Sequence, residues 1–212
     1  MELMVVVIII GIVTVMAMPA MIRAQVDRRS YNDAITVAEL FREARTRAMG
    51  RGAAETISMT QAGGAAGGDR GTFLLFEGQV LVPGTAPLFL LPVGSPMSTC
   101  GPPTVWAGAG TTAVLIDGVN LNGTIEATDG IWTTISGPLP SGATGALGAA
   151  FMCFTPLGRA YFSASNPPTF VSGSPMFGEI QIALQHTFGT AAAGIVRTVV
   201  VPNSGATRII SH

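Results

Sequence analysis

The sequence predicts an α+β fold: a long, kinked N-terminal α-helix, half transmembrane and half amphipathic, packed on a C-terminal antiparallel β domain. Three observations predict it. No charged side chain occurs from Leu3 to Ile22. Apolar residues then recur at helical spacing as far as Ala48. Beyond Gly52 the chain becomes a succession of short apolar runs separated by Gly, Pro, Ser and Thr, the pattern of strands and turns. The expected organisation is therefore a transmembrane half-helix over 1–22, an amphipathic stem over 23–50 and a β-rich head over 51–212.

The first segment, MELMVVVIIIGIVTVMAMPAMIRAQ, is long enough to cross a bilayer, because a helix rises about 1.5 Å per residue and a bilayer core is about 30 Å thick. Three other readings fit less well. A secretory signal peptide begins with basic residues, whereas the only early charge here is Glu2. A core helix of a soluble domain, apolar on every side, would need a large core around it. A plain single-pass anchor satisfies hydropathy equally but leaves Glu2 and Pro19 as coincidences. Pro19 lies inside a continuous helical pattern, where it removes one backbone hydrogen bond and bends the helix.

In the stem, Val26, Ala34, Val37, Ala38, Phe41, Ala44 and Ala48 recur at intervals that place them on one face, which must lie against something. The opposite face carries Glu39 with Arg42 and Glu43 with Arg47, pairs worth only about 0.2–0.5 kcal/mol each. Gly50-Arg51-Gly52 supplies both a stop and a basic charge for the helix C-terminus, so the helix is expected to end near Gly50.

Strands are expected near Glu55–Thr60, Thr72–Phe76, Gln79–Val82, Pro87–Leu91, Thr112–Ile116, Gly130–Ile135, Ala149–Thr155, Arg159–Ser163, Glu179–Gln185, Ile195–Val201 and Ala206–Ile210. Ala62–Gly71 and Ser136–Gly148 read as Gly-rich loops, and Asn203-Ser204-Gly205 as the turn of a terminal hairpin. Cys100 and Cys153 are too few for a zinc site. In an oxidising compartment they would form one disulfide, and otherwise two buried thiols.

Composition narrows the function. The net charge is −1 and all 11 basic residues are arginine. Seven of those arginines and six of the acids precede residue 56, so the head is weakly charged. A nucleic-acid surface is not implied by that balance. A nucleophilic triad has only His186 and His212 to draw on; the first reads as a surface residue at a strand end and the second as a loose chain terminus. Gly108–Ala113 resembles a dinucleotide loop but lacks the flanking strand and helix, and Gly63–Gly68 lacks the lysine of a phosphate loop. Asp117, Glu126 and Asp129 show no calcium-loop spacing and are assigned to turns, while Asn122-Gly123-Thr124 has the form of a glycosylation acceptor. No cofactor, no metal and no enzymatic activity are expected.

Glu2–Val7, the apolar run to Met18, Pro19 and the amphipathic stem together resemble the N-terminal helix of type IV pilins and type II secretion pseudopilins. The stem Ala38–Ala48 followed by Gly52, with Phe154-Thr155-Pro156-Leu157-Gly158-Arg159 later, is further similar to the minor-pilin branch called GspH/FimT. The resemblance implies that Glu2 pairs with the N-terminal amine of a neighbouring subunit and so sets assembly register, that a prepilin peptidase trims an upstream leader, and that the new N-terminus is methylated. The numbered chain carries neither that leader nor the phenylalanine that follows the cut. A count of Arg23, Arg28 and Arg29 by the positive-inside rule would put the stem in the cytoplasm. The resemblance implies the reverse, a single pass of the bacterial inner membrane with a periplasmic head.

The expected function is a minor pilin or pseudopilin whose partners are other such subunits and the inner membrane. The alternative is a membrane-anchored binding module that captures cargo, or DNA through Arg159, Arg197 or Arg208.

Overall fold

The computed structural model describes residues 2–61, 71–78, 98–101, 113–121, 129–138, 144–165, 168, 170, 178–188 and 191–212. It shows one long N-terminal helix, α1 (Glu2–Arg51), followed by antiparallel β-structure, an α+β arrangement. The strands are β1 (Glu55–Thr60), β2 (Thr72–Gly78), β3 (Ala113–Asn120), β4 (Asp129–Pro138), β5 (Thr144–Leu147), β6 (Ala149–Phe154), β7 (Ala160–Ser163), β8 (Glu179–Phe188), β9 (Ala191–Pro202) and β10 (Arg208–Ser211). Among the described residues they form two five-stranded sheets, β3-β2-β1-β6-β7 and β10-β9-β8-β4-β5.

The helix assignment runs without a break through Pro19 and ends at Arg51, one residue past the expected Gly50. Gly52 terminates it: its φ is +69° and its N–H donates to the Ala48 carbonyl at 3.1 Å, the left-handed cap that glycine adopts without steric cost. All seven stem residues read as the packing face are buried, and Leu40 and Ser30 join them.

The stem shares its core with both sheets. Phe41, Ala38 and Ala44 cluster with Ile57, Met59, Phe73, Leu75 and Met152 of the first sheet and with Ile135, Ile180, Ile182, Leu184 and Val199 of the second. Period-2 alternation explains the strand contributions, since Ile57 and Met59, or Ile180, Ile182 and Leu184, occupy one face of a pleated strand. On the other face of the first sheet, Phe151 and Cys153 of β6 form a smaller cluster with Ala54, Cys100 and Phe170. Cys100 and Cys153 are disulfide-bonded with their Cα atoms 6.0 Å apart, which ties the segment 98–101 to that outer face.

Several expectations are corrected. Ser136–Gly148 is not a loop throughout: β4 continues to Pro138 and β5 pairs with it in register Ile135↔Leu147 to Pro138↔Thr144. The small residues Gly145 and Ala146 hide the alternation there, and the free edge of β4 supplies the pairing that sequence pattern does not signal. Asp117 and Asp129 lie in strands rather than turns. Asp117 is accommodated because the β2–β3 register shifts between Leu75 and Phe76, and its carboxylate accepts the Gly118 N–H at 2.7 Å. The expected strands Gln79–Val82 and Pro87–Leu91, and the motifs at 63–68, 108–112 and 122–124 together with Glu126, lie outside the described residues.

Turn chemistry closes the hairpins. Between β6 and β7, Gly158 (φ +74°) donates to the Thr155 carbonyl at 2.8 Å and Thr155 N–H to the Arg159 carbonyl at 2.9 Å. Asn203 and Ser204 turn the chain between β9 and β10, and the Gly205 N–H donates to the Pro202 carbonyl at 2.8 Å. His212 is not a loose end, because its N–H donates to the Val196 carbonyl at 3.1 Å.

Candidate functional site

The feature with the largest functional content is the N-terminal half of α1. From Met4 to Ile22 every large apolar side chain whose exposure is described stands in solvent, including Met16 at 76%. This segment is long and apolar enough to cross a membrane. Its one hydroxyl with a described partner is satisfied internally, Thr14 Oγ1 donating to the Ile10 carbonyl at 2.7 Å. That is the condition a polar group must meet in hydrocarbon. Glu2 and Pro19 lie within α1, at its first residue and near the end of the apolar half.

At the opposite end of the helix five charged groups converge, of which the two carboxylates Glu55 and Glu77 are buried. Glu55 and Glu77 are direct cross-strand partners and lie on the core-facing side of β1 and β2, in line with Ile57–Leu75 and Met59–Phe73. Arg47 reaches both: its Nε is 3.6 Å from Glu55 Oε1 and its Nη2 is 3.8 Å from Glu77 Oε2. Arg51 approaches Glu77 Oε2 at 3.0 Å, and Glu43 approaches Arg47 at 3.7 Å. At 3.6 Å the Arg47–Glu55 contact is an ion pair longer than a formed hydrogen bond, and neither Glu55 oxygen accepts one among the described residues. Burial therefore pushes the Glu55 carboxyl up to about 7, helped by the charge of Glu77 and opposed by Arg47 and Arg51.

A second polar contact lies nearer the middle of the helix. His186, expected at the surface, is fully buried, because it continues the inward face of Ile180, Ile182 and Leu184 beneath the stem. Asp33 of the stem is half-buried there; burial raises its carboxyl above the usual carboxylate range, and the charges of His186 and Arg29 draw it partly back.

The three arginines considered for DNA lie in different local settings. Arg159 is exposed in the β6–β7 turn of the first sheet. Arg197 of β9 packs its guanidinium 5.4 Å from the Tyr31 ring centroid and donates to Ser211 Oγ. Arg208 of β10 pairs with Glu179 at 3.0 Å, which neutralises it locally.

Among the described residues no three His, Cys, Asp or Glu side chains gather as a metal site would require. The Arg47–Glu55–Glu77 group escaped sequence reasoning, although a signal was present: each acid continues an alternating apolar face, at Glu55-x-Ile57-x-Met59 and Phe73-x-Leu75-x-Glu77. Comparison with protein-family models, with curated proteins and with solved structures finds no match to this chain.

Proposed function

We propose that this protein is a non-enzymatic subunit of a pilus-like fibre, a minor pilin or pseudopilin of the GspH/FimT type, held in the bacterial inner membrane by Leu3–Ile22 until it assembles through the same helix. The observation that carries the reading is the division of α1. One half is uncharged and uncovered, while the other half is the spine of the head's core. An apolar surface of that length is stable in lipid or against other apolar helices, and in a fibre helix-on-helix packing takes the place of lipid.

Glu2 then sets the stagger. A carboxylate among apolar helices is costly, an ammonium from a neighbouring chain offsets part of that cost, and only one axial offset brings the two together. Pro19 bends the helix so that the head can pack outward from the fibre axis. The head lies on the extracytoplasmic side, and the Cys100–Cys153 disulfide supports that side because disulfides persist in oxidising compartments.

The test is fractionation of Glu2→Ala in the native host, alongside mass analysis of N-terminal peptides from membranes and sheared fibres. The expected result is a folded, membrane-bound variant missing from fibres, and a native N-terminus trimmed and methylated just upstream of Glu2. Normal incorporation of the variant defeats the register role. A mature chain beginning beyond Ile22 defeats the whole reading. Full function after replacing Leu3–Ile22 by an unrelated apolar helix favours a simple anchor.

A further inference from the structure

Strand β9 runs alongside α1 in the same direction. The Ile195 N–H donates to Asp27 Oδ1 at 3.1 Å, Arg197 sits over Tyr31, and Gly205, just beyond the end of the strand, lies against Arg45. From Asp27 to Arg45 the helix rises about 27 Å at about 1.5 Å per residue. From Ile195 to Pro202 the strand covers about 23 Å at about 3.3 Å per residue, so the two advance in step.

The β8–β9 hairpin must then extend back toward the apolar half of the helix. Leu184 pairs with Arg197, at the level of Tyr31, and β8 continues from Leu184 to Phe188, which pairs with Ala191. Those four residues span about 13 Å. The same distance along α1 is about nine residues and leads from Tyr31 to Ile22, the end of the uncharged run.

The hairpin end is suited to that level. The hairpin itself carries no charged residue from Thr187 to Val196, the only charge paired with its end being Asp129 of β4 against Phe188 among the described residues, and Ala192, Gly194 and Ile195 are exposed, Ile195 at 39%. The approach is built rather than incidental: a Cβ on Gly194 (φ +76°) would stand 2.9 Å from Asp27 Oδ1 and 3.2 Å from Val26. Arg23 and Arg28 are exposed on the same turns of the helix, where guanidinium groups meet lipid phosphates.

We infer that the uncharged end of the β8–β9 hairpin rests on the lipid bilayer as a second membrane contact, at the headgroup boundary beside the point where α1 leaves the membrane. The inference rests on α1 spanning the bilayer. A contact at that depth, roughly 5–10 Å into the headgroup region, adds apolar burial and fixes the tilt of the head, which an anchor of one helix leaves free.

The experiment uses the full chain reconstituted in phosphatidylcholine–phosphatidylglycerol vesicles. Both native cysteines are joined, so a single introduced cysteine takes an environment-sensitive dye. Dye is placed at Ala192→Cys, at Met16→Cys inside the apolar run, and at Leu157→Cys in the β6–β7 turn, 82% exposed and beside the far end of α1. The expected result is loss of Ala192 fluorescence with headgroup-level nitroxide lipids, loss at Met16 with mid-chain nitroxide lipids, and no loss at Leu157. Quenching at Met16 with none at Ala192 overturns the hairpin contact while the spanning helix stands. Shielding of Ala192 from aqueous iodide without lipid quenching means that protein covers the hairpin, and also overturns it. No quenching at Met16 removes the spanning helix, and this inference falls with it.

Discussion

Glu55→Gln replaces a buried carboxyl by an amide of nearly the same shape, and its effect on stability should depend on pH. In the folded chain Glu55 is 0% exposed and holds its proton up to about pH 7, first because of burial and second because of Glu77, against the pull of Arg47 and Arg51. The unfolded chain releases that proton near 4.5. Between the two values the folded state binds more protons than the unfolded, so stability falls as pH rises, by up to about 1.4 kcal/mol per pH unit. Across the interval from 4.5 to about 7 the contribution lost is about 3 kcal/mol, fully present below it and gone above it. Glutamine does not titrate there. The variant should therefore match the native protein at about pH 4 and exceed it by up to about 3 kcal/mol at about pH 8. Urea unfolding of the full chain in detergent, followed by tryptophan fluorescence at a series of pH values, reads this directly. Asp33 is raised in the same sense, but it is present in both proteins and cancels in the difference. Parallel pH profiles would mean that burial does not hold the proton on Glu55. So would a variant less stable than the native protein at alkaline pH, which would show that the ionised Glu55–Arg47 pair is net stabilising.

Other variants probe the core, the disulfide and a turn. Phe41→Ala removes a fully buried ring at the junction of the stem with both sheets and should cost about 3–5 kcal/mol in urea unfolding; a loss of under about 1 kcal/mol would mean that the stem does not share the core. Cys153→Ser opens a loop of 53 residues, for which chain entropy gives about 4 kcal/mol, and reduction of the native protein should lower its thermal midpoint equally. Gly205→Ala forces a side chain onto a backbone at φ +72° and brings a Cβ within 2.8 Å of Phe154, so a loss of about 1–3 kcal/mol in urea unfolding is expected. An unchanged midpoint in that last variant would show that the turn relaxes freely.

Local periodicity and local chemistry encode the helix and several of the strands. The uncharged run from Leu3 to Ile22, the buried face from Val26 to Ala48 and a stop near Gly50, found one residue later at Arg51, are all properties of residues a few positions apart. The strands read near Glu55–Thr60, Ala149–Thr155 and Glu179–Gln185 are present as Glu55–Thr60, Ala149–Phe154 and Glu179–Phe188, since alternation, or for β6 a short continuous apolar run, is read within one strand.

Tertiary structure alone decided everything that depends on which strands meet. β5 exists because β4 offers it an edge, although Thr144–Leu147 has almost no alternation of its own. His186 is buried because the stem lies over β8, a contact between residues far apart in the chain, whereas a histidine at the polar end of an apolar run looks exposed by any local rule. Glu55 and Glu77 become a coupled pair only through the β1–β2 register, and Arg47 serves both only because α1 ends above that register. The course of β9 along the helix, with Ile195 against Asp27 and Arg197 over Tyr31, is likewise set by packing. Pattern within a segment follows from the free energy of covering its own apolar face; the partner that covers it is chosen by the whole chain at once.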